Sequence, residues 1–378
     1  MTWQTKKLGE ICDKASSSIS QNQLKNENGK YPIYGAGGFI KNISFYHQDR
    51  DYISIITDGA GIGRIALLPA MSSVIGTLQY LIPKENVDIK FLYYILSSFD
   101  FLKYKNGATI PHIYFREYSE EEFLVPPLSE QKRIVKKLDE VFEKATQAKE
   151  NAEKNLQNSK ELFESYLQSV FANPGKDWGE NKLEVLTSKI GSGATPRGGK
   201  NSYKKSGIAL VRSMNVYDRN FVDKNLAFID DDQAKDLANV TLAKGDVLLN
   251  ITGASVTRCC VLPKEYLPAR VNQHVSILRP KQDVIDSAFL NYLLTSKPYK
   301  NQLQVIGGRG ATRQAITKLQ LENFLIRYPL LMEQKTIVKK LNMLSVETKK
   351  LEKIYEQKLA DFEELKKSVL KSAFAGEF

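Results

Sequence analysis

Two glycine-rich stretches, Asp58-Gly59-Ala60-Gly61-Ile62-Gly63 and the run from Gly193 to Ser202, have the composition to hold a phosphate or a nucleotide cofactor, because bare backbone amides can close around an anion. That chemistry needs the loop to open into a helix. After Gly63 comes Arg64 and the apolar run Ile65-Ala66-Leu67-Leu68, stopped by Pro69, which reads as another strand. In the second stretch Lys200 is followed by Asn201, where a phosphate loop carries serine or threonine, and the glycine spacing is off. No Asn-Pro-Pro-aromatic run is present for amino methylation. Three histidines (His47, His112, His274) and three cysteines (Cys12, Cys259, Cys260), with no Cys-x-x-Cys spacing, argue against structural zinc and against a disulfide framework. The expectation is a chain with no catalytic constellation, no metal and no cofactor.

The same residues suit contact with a DNA duplex. Glycines allow close backbone approach, and Thr195, Arg197, Lys200, Lys204 and Lys205, with Tyr203 interleaved, can reach phosphates or guanine edges. A solvated loop is the alternative. Gly307-Gly308-Arg309-Gly310-Ala311-Thr312-Arg313-Gln314 is a second candidate, in which Arg309 and Arg313 match guanine and Gln314 matches adenine. Its earlier counterpart is Gly107-Ala108-Thr109-Ile110-Pro111-His112. Gln273 and His274 stand between Val271 and Val275 on an alternating strand with one face buried, and are either contact residues or part of the core. In the first 124 residues the candidates are Tyr34, Lys41, Arg64, Gln79, His112 and Arg116. Arg64 and Arg258 follow equivalent glycine turns, for a shared phosphate-positioning role or for salt bridges at the edge of a core.

With 378 residues and 42% hydrophobic content the chain can fill more than one core. Its apolar runs, such as Ile208-Ala209-Leu210-Val211, fall far short of the roughly 20 residues that span a bilayer. The start, Met1 to Lys7, leads into no apolar export segment, so a soluble, cytoplasmic protein without a membrane partner is expected. The net charge of +11 is concentrated: residues 1–124 carry 13 basic and 13 acidic side chains, whereas 175–327 carry 23 against 14. A basic surplus in one segment is the footprint of a nucleic-acid partner, although it also serves plain solubility.

The elements that must position these loops are written twice. Val125-Pro126-Pro127-Leu128-Ser129-Glu130-Gln131-Lys132, leading into Ile134-Val135-Lys136-Lys137-Leu138, returns 203 residues later as Tyr328-Pro329-Leu330-Leu331-Met332-Glu333-Gln334-Lys335, leading into Ile337-Val338-Lys339-Lys340-Leu341. Each copy opens a long helix, the first with Ser129 as its expected N-cap. A 4-3 spacing marks a coiled-coil seam through Ile134, Leu138, Val141, Leu162 and Tyr166 in the first copy. In the second it runs through Ile337, Leu341, Leu344, Leu351, Phe362, Leu365 and Val369. Some 40 helical residues make a rod near 60 Å long. A rod with one apolar stripe needs a partner, and antiparallel pairing of the two copies within one chain meets that need. Outside the rods the echoes continue: Thr57-Asp58-Gly59-Ala60 matches Ile251-Thr252-Gly253-Ala254, and Trp178 to Leu183 matches Trp3 to Leu8. The expected order is globule, rod, globule, rod, over 1–124, 125–174, 175–327 and 328–378.

The Pro-Pro-Leu-x-Glu-Gln-x-x-Ile-Val-x-Lys-Leu run, its near copy, and the closing Leu370-Lys371-Ser372-Ala373-Phe374-Ala375-Gly376 resemble the specificity subunit of type I restriction-modification systems over essentially the whole chain. The resemblance implies an α+β fold: two pseudo-twofold-related α/β target recognition domains joined by two long antiparallel coiled-coil helices. It implies that each domain reads one half of a split sequence in double-stranded DNA. The helices would set the spacing and dock two methyltransferase subunits, with restriction and translocase subunits completing the complex. A self-contained DNA methyltransferase or nuclease, and a coiled-coil DNA scaffold without sequence preference, are the rival readings.

Overall fold

In the computed structural model, residues 3–107, 109–308 and 314–377 are described, with Lys200 as backbone only. The chain forms two compact units, one of residues 1–154 and 356–378, the other of residues 155–355. Each unit therefore owns one globular part and one half of each long helix.

In the first unit a four-stranded antiparallel sheet has the order Cys12–Ser16, Leu78–Pro83, Tyr52–Ile56, Ile65–Leu68. Tyr31–Gly35 forms the middle of a second sheet, antiparallel to Gly38–Ile43 and parallel to Ser73–Val74. A short ladder ties Gln4–Lys7 to Glu122–Val125 and so brings the start of the globule to the entrance of the long helix. The second unit repeats this plan. Its four strands run Thr187–Ser192, Val275–Pro280, Val247–Asn250, Cys259–Val261, and its three-stranded sheet centres on Ile208–Val211, antiparallel to Ala227–Ile229 and parallel to Ala269–Val271. Gly179–Lys182 pairs with Leu325–Tyr328 in the place of the short ladder. The duplication seen in the helices thus extends to strand order and direction in the globules. Cys259 and Cys260 are buried thiols within their sheet, and burial pushes Cys260 up to about 12.

The helices span Leu128–Ala172, 45 residues, and Leu331–Phe374, 44 residues. Ser129 lies inside the first helical turn rather than at its cap, because the carbonyl of Pro127 already accepts from the amides of Glu130 and Gln131. Leu330 does the same for Glu333 and Gln334, so a backbone carbonyl fixes each start whatever the side chain at that position. The repeated Glu-Gln has a distinct task. Gln131 is 1% exposed and its amide accepts from Asp88 N at 2.8 Å while donating to the carbonyls of Asn86 and Pro126 at 3.0 and 2.8 Å. Gln334, 0% exposed, repeats this with Asp286 N at 2.9 Å, Val284 O at 3.0 Å and Pro329 O at 2.9 Å. Asp88 and Asp286 are the N-caps of the globular helices Ile89–Ser97 and Ser287–Thr295, so one buried amide locks each long helix to the helix of its own globule.

Within the first unit the two helix halves run antiparallel. Phe142 meets Lys366 while Lys149, further along, pairs with Glu363 at 2.7 Å, and Ile134 and Leu138 share a core with Leu370 and Ala373. In the second unit Phe163, Leu167 and Phe171 share the core that takes Leu341, with Ile337 and Leu344 packed against it. The strict 4-3 seam does not survive along the whole helix. Leu162 is 49% exposed and Phe163 is buried instead; Leu351 and Leu365 are 37% and 44% exposed, and burial passes to Leu370 and Ala373. An α-helix turns every 3.6 residues, so against a 3.5 repeat the buried face drifts by about 20° per heptad. Four heptads from Ile134 to Leu162 accumulate roughly 80°, close to one residue. Ile134 and Ala152, both buried, are 18 residues apart, five turns of a straight helix.

Candidate nucleic-acid interface

In the second unit the loops at one end of the four-stranded sheet converge through their main chain. Gly193 N donates to Asn272 O at 3.2 Å, and a Cβ on Gly193 would stand 1.7 Å from the carbonyl oxygen of Val271, so only glycine fits there. Ile251 N donates to His274 O at 3.0 Å, Gly253 N to Gln314 O at 3.0 Å, and Ile316 N to Ile251 O at 2.8 Å. Asn272, buried between strands, accepts from His274 N through its side chain at 3.1 Å and sets the turn that projects Gln273.

Four side chains meet on this frame. Thr195 Oγ1 donates to Gln273 Oε1 at 2.5 Å, Gln273 Nε2 lies 3.2 Å from His274 Nε2, and His274 Nδ1 lies 2.6 Å from Thr252 Oγ1. Gln273 is exposed, whereas Thr195, Thr252 and His274 are half-buried behind it. Sequence reasoning named Thr195, Gln273, His274 and Gln314 separately; the structure brings them to one edge and adds Thr252, which the sequence marked only as part of the repeated glycine turn. Arg309 and Arg313 lie outside the described residues, as does the side chain of Lys200.

The remaining candidates of this unit surround other features. Arg258 sits 4.5 Å over the ring of the exposed Tyr217, and Arg212 sits 5.3 Å over Tyr203. Lys204 is 3.1 Å from Asp230, the N-cap of helix Asp231–Asp236. The Gln233 backbone amide and then Lys204 hold the Asp230 carboxyl below its ordinary range, so this lysine is in part committed to the fold. Arg197 and Lys205 are exposed.

In the first unit the glycine turn after Ile56 closes a hairpin between two antiparallel strands. Gly63 N donates to Ile56 O and Ile56 N to Arg64 O, and the second unit has Thr257 N to Asn250 O and Asn250 N to Arg258 O in the same places. Arg64 and Arg258 are therefore equivalent in backbone. Their side chains diverge: Arg64 lies against the carbonyls of Gly61 and Ala36 at 3.4 and 3.5 Å, beside a cleft of about 850 Å³ walled by the glycine loops 35–38 and 59–61. Phe39 is exposed at the rim, edge-on to Tyr34 at 6.1 Å. His112 and Tyr114 stack edge to face at 4.6 Å, and Arg116 lies 4.8 Å over Tyr114. Lys41 donates to Leu24 O at 3.1 Å, which commits it to the globule, and the half-buried Gln79 has its side-chain oxygen enclosed.

Matched main-chain bonds align the two edges. Thr57 N to Thr77 O, Gly59 N to Pro111 O and Ile113 N to Thr57 O repeat the three bonds given above for Ile251, Gly253 and Ile316. On that frame Gly76 and Thr77 stand where the second unit has Gln273 and His274, and Asp58 stands where it has Thr252. One scaffold carries two chemistries. Among the described residues no group of three His, Cys, Asp or Glu side chains could hold a metal, and no helix is long and apolar enough to cross a membrane.

The chain is 26% identical over 329 residues to the type I restriction enzyme MjaVIII specificity subunit of Methanocaldococcus jannaschii, covering 81% of this chain and 76% of that one. It is 24% identical over 294 residues to the EcoBI specificity subunit of Escherichia coli, covering 72% and 61%. Two solved structures share the fold. One, from work on complex assembly and conformational transition of the type I R-M system, superposes with a TM-score of 0.73 at 21% identity, over 100% of this chain and 98% of that one. The other, the HsdS subunit of Thermoanaerobacter tengcongensis, gives 0.66 at 19% identity, over 100% and 97%. The family model for the type I restriction modification DNA specificity domain matches twice, at residues 1–158 and 176–359, once for each copy of the repeated plan. With both halves matched, the chain belongs to the family of type I restriction-modification DNA specificity subunits.

Proposed function

We propose that this chain is the non-catalytic DNA-reading subunit of a cytoplasmic type I complex, in which each globule reads one half of a split duplex target. The reading heads fall within 1–124 and 175–327, and the struts within 125–174 and 328–378. The observation that carries this reading is the pair of matched loop edges, where one backbone frame presents Gly76 and Thr77 in the first unit and Gln273 and His274 in the second. A duplicated scaffold with unlike side chains at equivalent points suits an asymmetric target, since base identity is read by side chains at groove edges while the frame fixes their register. The candidate contacts are those of the loop edges: Arg64, His112 and Arg116 in the first head, Thr195, Arg197, Gln273 and the segment holding Arg309 and Arg313 in the second.

Helices of 45 and 44 residues, each about 66 Å long, suit a ruler between half-sites, which fall about one duplex turn, near 34 Å, or a multiple apart. Their Lys- and Glu-rich outer faces would receive two methyltransferase subunits, and through them the restriction and translocase subunits. The test is sequencing of methylated positions in cells that carry this chain with its methyltransferase partner. A split motif with a fixed gap, lost when this chain is deleted, is the expected result; an ungapped motif, or methylation that persists without the chain, would refute the reading.

A further inference from the structure

The structure assigns Gln273 as an adenine-reading residue of the second head, held in register by Thr195 and His274; this rests on the DNA-reading function proposed above. Gln273 is exposed at the tip of a turn whose neighbours, Val271, Asn272 and Val275, are all buried, so its backbone is fixed while its side chain faces outward. An unrestrained glutamine loses rotamer freedom when it binds. Here both ends of the amide are already engaged, the oxygen by Thr195 at 2.5 Å and the nitrogen against His274 Nε2 at 3.2 Å. His274 is itself fixed from behind by Thr252 at 2.6 Å.

The arrangement makes the amide plane a rigid platform. Each partner uses only part of the amide's capacity: the oxygen has a second lone pair and the nitrogen a second hydrogen. One donor and one acceptor of the amide thus stay available, the set that complements the N7 acceptor and N6 amino group that adenine shows in the major groove. Guanine presents two acceptors there and cannot satisfy both atoms. Gly76 at the equivalent point of the first head has no side chain, so this readout belongs to one half-site only.

The experiment assembles the full chain with its methyltransferase subunits and selects from a randomised duplex library. Wild type should enrich a gapped motif containing an adenine that Q273A no longer demands, with discrimination at that one position falling roughly ten- to a hundredfold and the rest of the motif retained. Q273E, which can only accept, should move the preference at that position toward cytosine, whose amino group is a donor. T195V should soften the same position and no other, a pattern that a general loss of folding cannot produce. An unchanged motif in Q273A, or a loss spread evenly over both halves, overturns the inference. A wild-type pool with no motif at all overturns instead the DNA-reading function beneath it.

Discussion

Removing the buried amide that locks each long helix to its globule should cost more than any surface substitution, and the cost follows from three bonds. In Q334A, Asp286 N–H and the carbonyls of Val284 and Pro329 lose the side chain that accepts from the first and donates to the other two. At about 1 kcal/mol net for each bond the loss is about 3 kcal/mol, and it rises where the stranded groups stay dry. In a cooperative unit of about 200 residues that corresponds to a fall in Tm of roughly 6–12 °C. Q334E sharpens the test, because a carboxylate can accept from Asp286 N but faces two carbonyls that need donors; it should be at least as damaging as alanine at neutral pH. Scanning calorimetry of the full chain, with hydrogen exchange at the Asp286 amide, reads both effects, and the exposed Q357A serves as the control expected within about 0.5 kcal/mol of wild type. Q131A should act in the same way on the first unit, through Asp88. A Q334A chain that melts within 2 °C of wild type on the same scan, or keeps its Asp286 protection, would refute the account of why this Glu-Gln pair recurs.

Arg279 grips the fully buried carboxylate of Asp246 with two bonds of 2.7 and 2.8 Å, so R279M strands a buried charge and should destabilise the chain by about 3–5 kcal/mol in chemical denaturation. D246N/R279M together should recover much of that loss. Burial raises the Cys12 and Cys260 thiols to about 12, so in the folded chain they stay neutral and should resist iodoacetamide at pH 8, reacting only after denaturant is added. Unfolded thiols ionise near 8.5, so the same shift draws the chain toward unfolding as pH rises from about 9 toward 12; a melting curve insensitive to that range would contradict it. Shortening both long helices by 18 residues, five whole turns, should leave a folded chain with an altered gap in its methylated motif. Removing 14 residues rotates the faces beyond the cut by about 40° and should lower Tm more, despite the smaller deletion.

The duplication was legible because it lies in contiguous residues. The run from Val125 to Leu138 and its copy from Tyr328 to Leu341 predicted two helices, their relation and a globule ahead of each, and the helices observed at Leu128–Ala172 and Leu331–Phe374 follow. The 4-3 pattern was a weaker guide. Ile134, Leu138 and Leu341, near each start, are buried, whereas Leu162, Leu351 and Leu365 are exposed, because a helix that packs alternately on a globule and on another helix has no reason to supercoil at 3.5 residues per turn. Phe163 and Leu370 could have been found by stepping 18 residues from Ala145 and 29 from Leu341, multiples of a straight helix's turn.

The interface resisted prediction for a different reason. Composition identifies side chains able to meet DNA, but whether Lys41 is free or spent on Leu24 O, and whether Lys204 faces a phosphate or Asp230, depends on chain segments 17 and 26 residues away. The cluster of Thr195, Thr252, Gln273 and His274 draws on three loops across almost 80 residues, and no spacing rule joins them. What joins them is the sheet: the bonds from Gly193 to Asn272, Ile251 to His274 and Gly253 to Gln314 bring the loop ends together before any side chain is chosen. Because the first unit makes the corresponding bonds for Thr57, Gly59 and Ile113 with other residues on top, one main-chain frame holds unlike side chains at those points.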